Sequence, residues 1–172
     1  MAETDKSDAS SPESGDADDR PTQNPPAIAK AWDLVARAKE HLENLTPDQV
    51  RSELEAAGSS GGGTPSTVVV DIRDHRELYL KGKIPGAVHA PRGMLEFWVD
   101  PASEYHRSVF DPSRRYILYC AGGGRSALAA KAMKDMGYPD VAHLETGFGG
   151  WEEAGYEIED VKADSRWIPR PQ

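Results

Sequence analysis

The chain has 172 residues, enough for one domain of ordinary size, and carries a formal net charge of −9. That balance opposes the basic face with which proteins displace counterions from nucleic acid, no run approaches the roughly 20 apolar residues of a membrane span, and the acidic N-terminus is no basic-then-apolar leader. We therefore expect a cytoplasmic protein with neither nucleic acid nor membrane as a partner. Its single cysteine, Cys120, excludes an intramolecular disulfide and the paired thiolates of a structural zinc or iron–sulfur site, and His41, His89 and His143 show no ligand spacing.

Residues 1–26 hold seven acidic and two basic residues among Ser, Thr, Pro and Gly, which reads as a disordered, solvating tail. Its run Asp16, Asp18 and Asp19 is either a docking signal or part of a flexible leader. After Pro25 and Pro26, the near-helical spacing of Ile28, Trp32, Val35 and Leu42 predicts one amphipathic N-terminal helix within 27–45. Thr46, Pro47 and Gln49 then have the chemistry of a helix start: a capping hydroxyl, a first-turn residue that needs no donor, and a side chain that can reach back. The run from Gly58 to Ser66, mostly Gly and Ser, predicts an exposed linker.

From there short apolar runs alternate with helical patterns, the mark of a parallel sheet covered by helices on both faces. Strands are predicted at 68–72, 88–89, 116–119 and 141–144, with helices after Asp74, around 93–98, over 126–136 and beginning near Trp151. Asp74 and Glu77 form a capping pair. The domain is expected to run over 46–160, with a tail at 161–172.

Cys120 is the first residue after the 116–119 strand, at the carboxyl edge where open α/β sheets bind ligands. The segment Cys120-Ala121-Gly122-Gly123-Gly124-Arg125 can wrap with its N–H groups inward, because three glycines remove side-chain clashes. The following helix, opened by Ser126, adds its positive end, worth up to about 1 to 2 kcal/mol. Arg125, if it turns inward to about 4 Å at an effective dielectric near 20, adds up to about 4 kcal/mol. Either is comparable with the roughly 2 kcal/mol that turns a mostly protonated thiol into a mostly ionised one at neutral pH. The alternative is a small core residue ending a strand.

The segment from Val68 to Gly155 resembles the rhodanese homology domain. Val70-Asp71-Ile72-Arg73 with Glu77 and Gly82-Lys83-Ile84-Pro85-Gly86-Ala87 is similar to the family's Asp-x-Arg and Gly-His-Ile-Pro-Gly-Ala signature, with Lys83 in place of the usual histidine. The Cys120 to Arg125 loop has the four intervening residues of single-domain sulfurtransferases. Gly147-Phe148-Gly149-Gly150-Trp151 looks like the closing Gly-Gly-x-x-x-Trp region with its glycines moved. The resemblance implies a rhodanese-like α/β fold and a transferase in which Cys120 takes a sulfane sulfur from a small donor and passes it, as a persulfide, to a thiophilic acceptor such as a partner protein thiol. No cofactor or metal is implied. Ala121, Gly122, Gly123, Gly124 and Arg125 would bind the persulfide, while Asp71, Arg73 and Ser126 would support the loop. Thiosulfate-handling members often carry basic residues straight after the nucleophile, where this chain has Ala121 and Gly122.

Arg92, Trp98 and His106 form a polar and aromatic set that either lines a substrate cleft or packs. Two rivals stay open. Phosphatases and arsenate reductases on the same fold use a loop one residue longer, and a non-enzymatic rhodanese-like module would bind a protein through the N-terminal tail and helix.

Overall fold

The computed structural model describes residues 28–58 and 66–162. The predicted acidic tail at 1–26, nearly all of the Gly/Ser linker and the chain from 163 onward lie outside the described residues. The strands are β1 (Glu43–Leu45), β2 (Thr67–Asp71), β3 (Val88–His89), β4 (Arg115–Tyr119) and β5 (Val141–Leu144). The helices are α1 (Ala31–Lys39), α2 (Pro47–Gly58), α3 (His75–Lys81), α4 (Leu95–Val99), α5 (Gly124–Asp135) and α6 (Gly147–Glu153). Together the strands make one parallel sheet of five in the order β1-β5-β4-β2-β3.

Alternation along the strands sends side chains to two cores. Val68, Val70, Tyr116 and Leu118 meet Val35 of α1, Leu95 of α4 and Ala127, Ala130 and Met133 of α5 on one face. Val69, Ile117 and Tyr119 meet Val50 of α2 and Phe148 and Trp151 of α6 on the other. The α/β fold, with a parallel sheet between helices, is as the sequence predicts.

Both predicted capping boxes form. The Thr46 hydroxyl accepts from the Gln49 N–H at 3.3 Å while Gln49 accepts from the Thr46 N–H at 2.9 Å. Asp74 and Glu77 close the same reciprocal pair at the start of α3.

The N-terminal segment departs from the single helix predicted over 27–45. Residues 28–30 are not helical, α1 ends at Lys39, and Glu43–Leu45 is an edge strand whose Asn44 stands beside His143 of β5. Leu42 is buried as the helical spacing requires, which hid the change. The Asn44 amide donates to the carbonyls of Lys39 and Leu42, both at 3.0 Å, so acceptors near the helix end are met by a side chain and the chain turns into the sheet. The described residues 28–45 thus share one core with the rest of the described chain, through α1 on α5 and β1 on β5. The last helix also begins earlier than predicted, at Gly147, with Trp151 in its second half.

Candidate active site

Cys120 follows β4 at the centre of the sheet and is 1% exposed. Three residues on, Gly123 adopts the left-handed conformation with φ of 85°, and a Cβ there would lie 1.9 Å from the Glu145 carbonyl oxygen. Only glycine fits such a reversal so close to the end of β5. With the chain already reversed, helical geometry begins at Gly124, two residues before the predicted start at Ser126. Ala127 is the first residue whose N–H reaches back to a loop carbonyl, that of Gly123 at 3.1 Å. The N–H groups of Gly124, Arg125 and Ser126 therefore form the positive end of a helix of 12 residues.

The loop is held from outside by α6. The Phe148 N–H donates to the Cys120 carbonyl at 2.7 Å, and the Gly149 N–H to the Ala121 carbonyl at 2.9 Å. A trans peptide plane carries its C=O and N–H in opposite directions. Anchoring those two carbonyls on α6 therefore turns the N–H groups of Ala121 and Gly122 away from α6. At Gly147 a Cβ would meet both carbonyl oxygens at 2.6 Å, so the glycine-rich run serves close approach here and the helix forms despite it. The sequence reading missed this role of α6; the signal was a closing Gly-Gly region whose spacing puts two N–H groups where a bulkier run could not come.

Beneath the loop, Asp71 and Arg73 are fully buried and paired. The Arg73 guanidinium donates to both Asp71 oxygens, at 3.0 Å through Nε and 2.6 Å through Nη2, and to the Gly82 carbonyl at 2.6 Å. It lies over the Phe148 ring at 4.0 Å from the centroid. The pair thus supports the residue whose N–H holds Cys120.

Arg125 is half-exposed, and both its terminal nitrogens are bound to Glu77 at 2.8 Å. Glu77 holds the guanidinium in its charged form, and the Cys120 side chain adds a smaller contribution in the same direction. In return the Arg125 hydrogen bonds hold the Glu77 carboxyl below the usual range. Glu77 therefore joins a helix cap to the loop cation, a second role that its capping pattern concealed.

Ser126 is buried, with its hydroxyl on the Gly123 carbonyl at 3.0 Å and 3.4 Å from His143 Nδ1. His143 Nε2 lies 2.7 Å from Asn44 Oδ1. The Asn44 amide nitrogen is spent on two carbonyls, so Oδ1 is an acceptor and the neutral imidazole carries its proton on Nε2. Burial pushes His143 down to about 4.

The proposed cleft set divides. Arg92 follows β3 at the same sheet edge as Cys120, but its guanidinium is taken by Glu96 at 2.5 Å. His106 is bonded to the Trp98 carbonyl at 3.1 Å, and Arg107 covers the Trp98 ring at 4.8 Å. The next residue, Val99, accepts from Tyr138, just beyond the far end of α5. Trp98 packs against the core cluster that contains Cys120, Val99 and Ala127. A cleft of about 260 Å³ borders the loop, lined by Leu80, Ala121, Phe148 and Gly149 together with the charged side chains of Arg73, Glu77, Lys81 and Glu152.

Among the described residues no group of three or more His, Cys, Asp or Glu is arranged to hold a metal ion, and no described helix is long and apolar enough to cross a membrane.

Residues 46–154 match the family of rhodanese-like domains. The chain is 31% identical over 118 residues to the putative sulfur carrier protein YrkF of Bacillus subtilis, covering 69% of this chain and 59% of that protein, so it spans less than two thirds of that relative. A protein of unknown function from Rhodopseudomonas palustris, described as a possible tyrosine phosphatase, superposes with a TM-score of 0.71 at 43% identity, covering 77% of this chain and 96% of that one. The thiosulfate sulfurtransferase of Pseudomonas aeruginosa superposes with a TM-score of 0.58 at 28% identity, over 75% of this chain and 22% of that one.

Proposed function

Given that the chain belongs to the rhodanese-like family, we propose that it is a sulfurtransferase whose Cys120 carries sulfane sulfur as a persulfide. The observation that supports this reading is the anchoring of the Cys120 and Ala121 carbonyls on α6, which turns the N–H groups of Ala121 and Gly122 away from α6; a terminal sulfur on that side would accept from them. Preorganised donors of this kind stabilise charge that develops during reaction.

The Cys120 thiolate attacks the outer sulfur of thiosulfate, a polysulfide or another persulfide. With thiosulfate the new Sγ–S bond forms as the S–S bond of the donor breaks, and sulfite leaves with the electron pair. The resulting Cys120 perthiolate carries one negative charge on its outer sulfur, within reach of the loop N–H groups, the α5 N-terminus and Arg125. An acceptor nucleophile then attacks that sulfur, and Cys120 departs as the thiolate that began the cycle. Cyanide would leave as thiocyanate by the same step. Asp71, Arg73 and Ser126 act as positioning residues beneath the loop.

A second reading deserves a test because the Rhodopseudomonas palustris neighbour is described as a possible tyrosine phosphatase. Two features weigh against it: only four residues separate Cys120 from Arg125, a tight cradle for a tetrahedral oxyanion, and both terminal nitrogens of Arg125 are engaged by Glu77. Thiocyanate formation from thiosulfate and cyanide, absent in Cys120→Ser, is the expected result. Hydrolysis of an aryl phosphate without thiocyanate formation would replace sulfur transfer by the phosphatase reading, and neither activity would leave a binding module.

A further inference from the structure

A line of polar side chains runs from the edge of the sheet to the Cys120 loop, through Asn44, His143 and Ser126. Asn44 stands in β1, ahead of the family-matched residues 46–154, and its register places it beside His143 of β5. Its amide nitrogen is committed to the carbonyls of Lys39 and Leu42, which fixes the direction of its oxygen toward His143 Nε2. His143 and Ser126 are both fully buried. Burying an imidazole and a hydroxyl costs free energy that an apolar side chain in the same places would not, so the chain of contacts calls for a polar task.

With its proton on Nε2, the neutral imidazole keeps a lone pair on Nδ1. The Ser126 hydroxyl lies 3.4 Å from that nitrogen and 3.0 Å from the Gly123 carbonyl, so one hydroxyl proton stands between two acceptors and the oxygen is held in the angle between them. The Gly123 carbonyl also accepts from the Ala127 N–H at 3.1 Å. Drawn into the first turn of α5 by both donors, this carbonyl sends the Gly124 N–H, on the opposite edge of the same peptide plane, away from the body of the helix. The peptide so fixed is the one that follows the left-handed reversal at Gly123 and ends the loop begun at Cys120.

We infer that Asn44 and His143 are positioning residues for sulfur transfer, which orient the Ser126 hydroxyl and through it the Gly123–Gly124 peptide at the start of α5. This rests on the sulfurtransferase reading and adds to its machinery a residue from a strand ahead of the family-matched region. Both residues act through Ser126 rather than on the sulfur, so they govern how fast a bound donor reacts and not how tightly it binds.

The test follows sulfite release from thiosulfate by the full chain, under conditions where a denaturant titration shows each variant folded. His143→Leu should lower the limiting rate about 10-fold while the half-saturating thiosulfate concentration changes less than about 2-fold. His143→Gln, whose amide keeps a donor for Asn44 and an acceptor for Ser126, should recover most of the rate. Asn44→Ala should slow loading about 3-fold, and the double variant Asn44→Ala with His143→Leu should be no slower than His143→Leu alone, because the two residues act in series. A folded His143→Leu that loads at the wild-type rate, a glutamine variant no faster than the leucine one, or losses that multiply in the double variant would overturn the inference. Should His143→Leu not fold, the limiting rate of Asn44→Ala decides, and a wild-type value overturns it. If the wild type forms no persulfide at all, the sulfurtransferase reading fails, and the positioning chain is tested by the same set of variants on the alkylation of Cys120, the single cysteine, by iodoacetamide. Altered rates that do not multiply in the double variant support the chain; unaltered or multiplying ones contradict it.

Discussion

Two arginine–carboxylate pairs brace the Cys120 loop, Arg73 with Asp71 beneath it and Arg125 with Glu77 beside it, and both are bidentate. The side chains of the first are 1% and 0% exposed, those of the second 45% and 31%. Burial separates their work. The inner pair has no water to replace a lost partner, so its value lies in never being broken. Water screens the outer pair, which contributes little to stability, while Glu77 holds the Arg125 charge beside the loop.

The sharpest way to break this contrast is to delete one half of the inner pair. Asp71→Ala leaves the Arg73 charge buried and alone, and a denaturant titration should show a loss of about 3 to 5 kcal/mol. A cost below about 1 kcal/mol would put the inner pair in the same class as the outer one.

His143 extends the buried side of the comparison to pH. Its folded value of about 4 lies below the ordinary 6.5, so between the two the unfolded chain takes up a proton that the folded chain refuses. Its contribution is intact above about pH 6.5 and declines as the pH falls toward 4, by up to about 3 kcal/mol. His143→Gln should flatten that part of the stability profile. An unchanged slope would place the acid sensitivity elsewhere.

The outer pair should behave in the opposite way. Arg125→Ala should change stability by less than about 1 kcal/mol while slowing persulfide loading by about 100-fold, as read by stopped-flow sulfite release. A large stability loss, or loading at the wild-type rate, would contradict the division of labour. The smallest effect belongs to Glu77, whose carboxyl is held low by Arg125. Its contribution is present above the ordinary glutamate value and lost as the pH falls through the lower folded one. The stability difference between wild type and Glu77→Gln, below about 1 kcal/mol, should therefore shrink in acid below about pH 4; growth in acid would reverse the sign.

The strands, both capping boxes and the Cys120 loop were legible because each depends on neighbours in sequence: alternation in β2 and β4, reciprocal side chains at Thr46 and Gln49, a thiol followed by glycines. What escaped depends on distant partners. Leu42 keeps helical spacing while Asn44 pairs with β5. Glu77 caps its own helix and also holds Arg125, 48 residues away. His143 looks idle until Asn44 and Ser126 close on its two nitrogens. Trp98 stacks beneath Arg107 and its carbonyl meets His106, contacts that its place in the sequence does not announce.

The most direct test is intact-protein mass spectrometry after brief exposure to thiosulfate or polysulfide, repeated after cyanide and with Cys120→Ser. A gain of one sulfur atom that cyanide removes and the serine variant never acquires is the predicted result. No adduct on the wild type with any sulfane donor would contradict the persulfide on which the proposed function depends.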